Sequence, residues 1–329
     1  MEIVKIMYMG CFRGFEVFVV SVGDVDVYVV RSFFISFFSS PYTPHILGRA
    51  VDISTTTKFS SEVYSPVDGV VVKVLRVYSG LGPYSEVDYV VFIRVGDYYV
   101  KLMHLVPEVS VGDRVYVGDV LGTYLRSNYF SYHHLPHTHL EVCKVLTLRP
   151  SKSVPLKVTD EFLNFIRGKY FGKVVSNGLR LEVVEVGDGF TLCRSSDPIT
   201  ALVNGLPVVP QGSLGVGINY LGLIHLTSKP SIHDSVEFLG SRLGYVIRVR
   251  DWYSLLSTDK VGFRDWFMGI SSVSNLMVKS LWGGVKVLVN GFEVEGVEFL
   301  VSDVGDVKLV GNYGLRPGEV VRLEVLSPT

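Results

Sequence analysis

Asp68-Gly-Val-Val-Val-Lys-Val-Leu-Arg-Val-Tyr-Ser-Gly80 is a run of β-branched residues closed at each end by a turn dipeptide. Valine and its β-branched relatives are stiff at χ1 and fit a pleated surface, so the run reads as a strand between two reversals. The same grammar extends outward. Glu16-Val-Phe-Val-Val-Ser-Val22 and Asp26-Val-Tyr-Val-Val30 have strand composition, and Gly23-Asp24, Gly96-Asp97, Gly112-Asp113 and Gly118-Asp119 mark turns. Short strands at such spacing predict an antiparallel β-sandwich or half-open barrel over residues 1–150. The aromatic stretch from Val27 to Phe38 contains Arg31 and is too short to span a bilayer, so a buried strand pair is expected there.

Leu148-Arg-Pro-Ser-Lys-Ser-Val154 has the proline and serines of a boundary, which predicts a second, mostly β domain over 151–329 with one or two helices. One helix is expected from Thr159 to Lys169, with Asp160 as its cap and Phe162, Leu163, Phe165 and Ile166 near one face. A second helical patch is expected at Phe263 to Leu281. Leu-Val-Asn-Gly occurs at Leu202 and again at Leu288; hairpin chemistry explains it better than duplication.

The chain has 329 residues, 48% hydrophobic and 19% charged, enough to bury a large core. A net charge of −1 without a basic run argues against a nucleic-acid partner. Cys11, Cys143 and Cys193 are too few and too scattered for a disulfide framework or a Cys-x-x-Cys metal hook, so buried free thiols are expected. Glu2 and Lys5 interrupt the opening and no signal peptide is visible; with no transmembrane segment, a soluble and by default cytoplasmic protein is expected. Gln211 is the only glutamine, a depletion that hints at a hot environment.

The chemistry lies in the histidines. His45, His104, His133, His134, His137 and His139 precede residue 150, and only His225 and His233 follow it. In Pro136-His-Thr-His-Leu-Glu-Val142, side chains two apart share a strand face, so His137 and His139 point together with Glu141 next in line. In Pro44-His45-Ile-Leu-Gly-Arg-Ala-Val-Asp52, an aspartate enters an apolar strand, which is costly unless it is hydrogen-bonded or bound to a cation. His45, Asp52 and His139 offer two neutral nitrogens and a carboxylate, a set that suits Zn2+ with a fourth position open to water. His104 precedes the turn at Pro107, within reach of such a site. His133 and His134 are expected to border a groove or face solvent, and His225 and His233-Asp234 to be structural.

With these residues assembled, 40–142 resembles the lysostaphin-like, LytM-type zinc metallopeptidases, which have a duplicated hybrid motif β fold. The matching pieces run in order: His45…Asp52, Ser65-Pro-Val-Asp-Gly-Val-Val71, Met103-His-Leu105, Val111-Gly-Asp-Arg-Val-Tyr-Val-Gly-Asp-Val-Leu-Gly122 and His137-Thr-His-Leu-Glu141. The resemblance implies a zinc endopeptidase with His45, Asp52 and His139 as metal ligands and His104 and His137 as catalytic residues. One of the catalytic pair would take a proton from water and the other steady the oxyanion. Glu141 could orient His139 or His137. The implied substrate is a peptide or a peptidoglycan-like cross-link.

The family separates its first histidine and aspartate by three residues, but here six intervene, and counting back by the family spacing lands on Gly48. Either a longer loop still brings His45 to the metal or the site is degenerate; convergence in space, not spacing, is what ligands require, which favours the longer loop. Two alternatives are an inactive relative acting as a binding module and a histidine phosphocarrier of the same hybrid fold, which would need neither Asp52 nor the His-x-His pair.

Overall fold

A computed structural model describes residues 16–30, 32–172, 174–215, 220–258 and 284–327. The chain is mainly β and antiparallel throughout its principal sheets. The stretch quoted first forms the strand Gly69–Tyr78, paired with Val87–Val95 and bulged between Val71 and Lys73. An eight-stranded sheet grows from this pair, with Arg114–Val115 on the outer side of Gly69–Tyr78, through Tyr98–Met103, Thr138–Cys143, Ala50–Ser54 and Phe34–Ser36. Val301–Ser302, from the far end of the chain, adds its last strand. A three-stranded sheet of Glu62–Tyr64, Val120–Tyr124 and Leu105–Pro107 lies over it. Val63, Leu105 and Leu121 from the small sheet bury together with Val91, Leu102 and Leu140 from the large one, which gives the expected sandwich.

The Val27–Phe38 stretch does contain two buried strands, but they do not pair with each other. Val25–Val30 pairs with Glu16–Val22, whereas Phe34–Ser36 pairs with Ala50–Ser54. The chain changes sheets between them, and Asp303 accepts the Phe33 amide at 2.8 Å on the way.

Beyond residue 200 six strands close a barrel in the order Ala201–Val203, Ser235–Phe238, Ser241–Val249, Tyr253–Ser257, Leu221–His225 and Leu206–Leu214, which returns to Ala201–Val203. The far end of Leu206–Leu214 leaves the barrel to pair with Gly296–Phe299, and the sheet continues from there to Phe292–Glu293. Both Leu-Val-Asn-Gly segments are hairpin turns. Asn204 and Gly205 take φ of 49° and 80°, and Asn290 and Gly291 take 50° and 81°, the left-handed pair that a two-residue hairpin requires.

The helix Asp160–Tyr170 buries Phe162, Ile166 and Tyr170. Its cap is Thr159 rather than Asp160: Thr159 is extended, and its side chain accepts the Phe162 amide at 3.1 Å, leaving Asp160 in the first turn. The expected Phe263–Leu281 helix lies outside the described residues. Around residue 150 the chain forms a short turn, and Ser153 is buried beside Cys143. Lys157–Val158 then pairs back onto Glu16–Val22. Cys143 and Cys193 are buried free thiols; Cys11 is outside the described residues. No helix among the described residues is long and apolar enough to cross a membrane.

Candidate metal centre

Asp52 and His139 are direct cross-strand partners in the pairing of Ala50–Ser54 with Thr138–Cys143. Residues opposed in an antiparallel ladder bring their Cβ atoms to about 5 Å on one face, so sheet register alone brings this imidazole to this carboxylate. His139 Nδ1 lies 3.1 Å from Asp52 Oδ1. His45 comes from elsewhere, on the single helical turn Thr43–Ile46 with Pro44 in its first turn. Its Nε2 lies 3.0 Å from His139 Nδ1 and 3.3 Å from Asp52 Oδ1. One ligand atom from each residue falls within 4.8 Å of the others, and all three side chains are buried. The longer loop therefore does bring His45 to Asp52 and His139. Gly48, which the family spacing points to, has φ +64° and faces Tyr253.

Hydrogen-bond chemistry fixes which nitrogens are free. The Phe37 carbonyl can only accept, so His45 Nδ1, 2.8 Å away, must donate, and Nε2 keeps its lone pair. Glu141 accepts from His139 Nε2 at 2.9 Å, which turns His139 Nδ1 toward the cluster. Glu141 is itself buried, ion-paired with Lys101 and bonded to Ser153. Burial alone would raise its pKa, but His139 and Lys101 hold it down at about 2, so it is an acceptor. Of the two histidines considered for it, Glu141 is hydrogen-bonded to His139. Asp52 Oδ2 accepts from Ser39 Oγ at 3.0 Å, and His137 Nε2 is 3.7 Å away.

The lone pair on His45 Nε2 faces His139 Nδ1, and two lone pairs at that distance repel unless a cation, a proton or a metal ion, lies between them. The electrostatics agree. Burial opposes charge on His139, yet Asp52 and Glu141 outweigh it and push its pKa up to about 9. Burial would raise the Asp52 carboxyl, but the surrounding imidazoles carry it well below the usual range. Two nitrogens and a carboxylate, with the two rings locked by carbonyl or carboxylate acceptors, are the donor set and supporting shell that zinc sites use.

His104 and His137 lie beside this cluster, with ring centroids 5.5 Å apart, and Phe130 packs against both. His137 Nδ1 donates to the Leu135 carbonyl at 2.9 Å, leaving a lone pair on Nε2; burial above all lowers its pKa to about 4. His104 takes a left-handed backbone, φ +72°, a conformation that costs a non-glycine residue of order 1 kcal/mol. Asp88 compensates by accepting both the His104 amide at 3.0 Å and its Nδ1 at 2.6 Å, while Ser127 donates to the same carboxylate at 2.5 Å.

Asp88 is a residue that the sequence analysis does not single out. The signal was an aspartate inside the apolar run Val87–Val95, the same anomaly that singles out Asp52, and the fold buries it fully. Lys101, buried in Tyr98–Met103, carried a similar one. Of the two places expected for His133, facing solvent is excluded, because it is buried, and burial above all lowers its pKa to about 3; His134 is half-buried near His137. His225 is buried in the barrel against Ser254, and His233 sits on an exposed turn.

A family described as "Domain of unknown function (DUF8155) N-terminal domain" matches residues 25–158. That span holds every residue of the centre. No curated protein matches the chain. Among solved structures, the catalytic domain of the antimicrobial peptidase lysostaphin from Staphylococcus simulans, crystallised in the absence of phosphate, is similar at 19% identity. The alignment covers 36% of this chain and 84% of that one, with a TM-score of 0.28. A likeness that low assigns no role to the site, whose chemistry rests on its own geometry.

Proposed function

We propose that the chain is a zinc-dependent endopeptidase that hydrolyses peptide bonds, with His45, Asp52 and His139 holding the metal. The observation that carries this reading is the convergence of His45 Nε2, His139 Nδ1 and Asp52 Oδ1, each ring turned by an acceptor on its far nitrogen. A peptide substrate is supported by the order of the five motifs between His45 and Glu141.

Zinc bound there would polarise a carbonyl oxygen and acidify a water molecule. His104 is the residue we assign to take the water's proton. Its Nδ1 is committed to Asp88, so Nε2 is the basic nitrogen, and the carboxylate shares the charge that the ring acquires. The same Nε2–H then protonates the departing amine. His137 keeps its Nδ1–H on Leu135 and stays neutral, so its Nε2 accepts a hydrogen bond. That makes it an orienting group for a hydroxyl and not the oxyanion donor that the resemblance implied for one of the two.

The test is hydrolysis of short glycine-containing and peptidoglycan-like peptides by full-length protein purified without chelators. His104→Ala is expected to keep its zinc and lose about 10²–10⁴-fold in turnover, the usual worth of a positioned proton-transfer group. Unchanged cleavage by His104→Ala would show that the roles are wrong. A zinc-loaded wild type that binds such peptides without cutting them would be a binding module instead.

A further inference from the structure

Of the three proposed ligands, His45 has the weakest local support. It sits on four helical residues, too few to be stable alone, in a segment three residues longer than the family spacing. Residues 37–48 must therefore be held from outside; the Leu156 amide meets the Gly48 carbonyl and Phe162 packs on Phe37, and further contacts come from the barrel. Gln211, on Leu206–Leu214, is fully buried. Its Oε1 accepts the Phe37 amide at 2.8 Å, and its Nε2 donates to the carbonyls of Ile35 and Phe299, both at 3.1 Å. Phe37 uses its other backbone group, the carbonyl, to accept from His45 Nδ1. A single residue's N–H and C=O thus connect the chain's sole glutamine to the first ligand.

Other barrel residues secure the rest of the segment. Tyr220 donates to the Ser40 carbonyl at 2.6 Å, and Arg248 Nη1 donates to the Ile46 carbonyl, next to His45, at 3.2 Å. Gly222 is bare because the Phe38 ring lies on it: a Cβ there would fall 1.9 Å from the ring. At Gly48 a Cβ would meet the Tyr253 hydroxyl at 2.6 Å.

We infer that the C-terminal barrel is a working part of the metal centre, with Gln211 and Arg248 as positioning residues that hold the His45 segment in its ligating place. The inference rests on the zinc reading above and gives the C-terminal half a role in it. A buried glutamine that merely stapled strands would contribute to stability and leave the metal alone. A positioning residue changes the metal site itself.

The experiment is a titration of the full-length, metal-stripped protein with Co2+ alone, followed by its visible absorption and by competition with a chelating dye. Gln211→Met keeps the volume and removes all three hydrogen bonds. It is expected to weaken Co2+ binding about tenfold, the low end of what outer partners of a ligand contribute, and to alter the Co2+ spectrum. Arg248→Met should do the same, and it serves should Gln211→Met fail to fold. His225→Asn is the control: an equally buried barrel residue that meets Ser254 and not the His45 segment, expected to bind Co2+ as the wild type does. Wild-type affinity in the folded Gln211 and Arg248 variants would overturn the inference while leaving the zinc reading intact. Equal weakening in His225→Asn would also overturn it, by reducing the effect to general destabilisation. A wild type that binds no Co2+ would end both.

Discussion

Asp52 and His139 are set by sheet register, whereas His45 is set by contacts from a barrel more than 150 residues away in the chain. The first pair faces each other because their strands pair: the backbone hydrogen bonds that make the sheet also make the site. His45 has no such guarantee. Its ring is aimed by a carbonyl, and the carbonyl's own residue is fixed by Gln211. One half of the centre is thus as rigid as the fold, and the other is only as rigid as an interface. An insertion could lengthen the His45 loop and still leave a ligand in place, provided another surface took up the slack.

The largest effect that sharpens this contrast is on metal affinity. Asp52→Ala removes the carboxylate that all three neighbouring imidazoles share, and should weaken binding by well over about 100-fold, beyond the range of outer partners. Chelator competition measures it. Parity with Gln211→Met would erase the distinction between a ligand and its support. Next comes Asp88→Asn, which leaves the proposed metal ligands untouched but removes the charge beside His104. Turnover should fall by about 10²-fold, with zinc content unchanged, and a loss of zinc would mean that Asp88 supports the metal rather than the proton transfer. Glu141→Gln should weaken zinc about tenfold, because a neutral amide orients His139 less firmly and leaves buried Lys101 without its anion.

The smallest effect concerns the barrel. Burial lowers the His225 pKa from 6.5 to about 4, so the unfolded chain takes up a proton that the folded one refuses. Its contribution to stability is complete above pH 6.5, declines as pH falls toward 4, and declines no further below that. His225→Asn should flatten the stability profile in that window by about 1–2 kcal/mol, roughly half of what the shift would give without solvent screening, seen in urea unfolding at a series of pH values. A wild-type slope in the variant would assign the pH dependence to other groups, such as His133.

Much of the centre was legible because β geometry is legible. Period-two spacing put His137, His139 and Glu141 on one face, and an aspartate in an apolar strand announced Asp52. What stayed hidden was carried by backbone or by distance. The Phe37 and Leu135 carbonyls that fix two tautomers have no sequence signature, since any residue could supply them. Gln211 stands out in the sequence by its rarity, and only the fold shows it joined to Phe37, 174 positions away. The closing of the barrel has no sequence signature, because it depends on one strand, Leu206–Leu214, pairing with both of the neighbours that complete the ring. The break in the Val27–Phe38 stretch is of the same kind: composition shows two strands but not which sheets they join.

The central claim is that His45, Asp52 and His139 hold one zinc ion, and the most direct test is metal content. Full-length protein purified without chelators, analysed beside His139→Ala, should carry one zinc per chain in the wild type and none in the variant. A wild type without zinc, or a variant that retains it in full, would contradict the account.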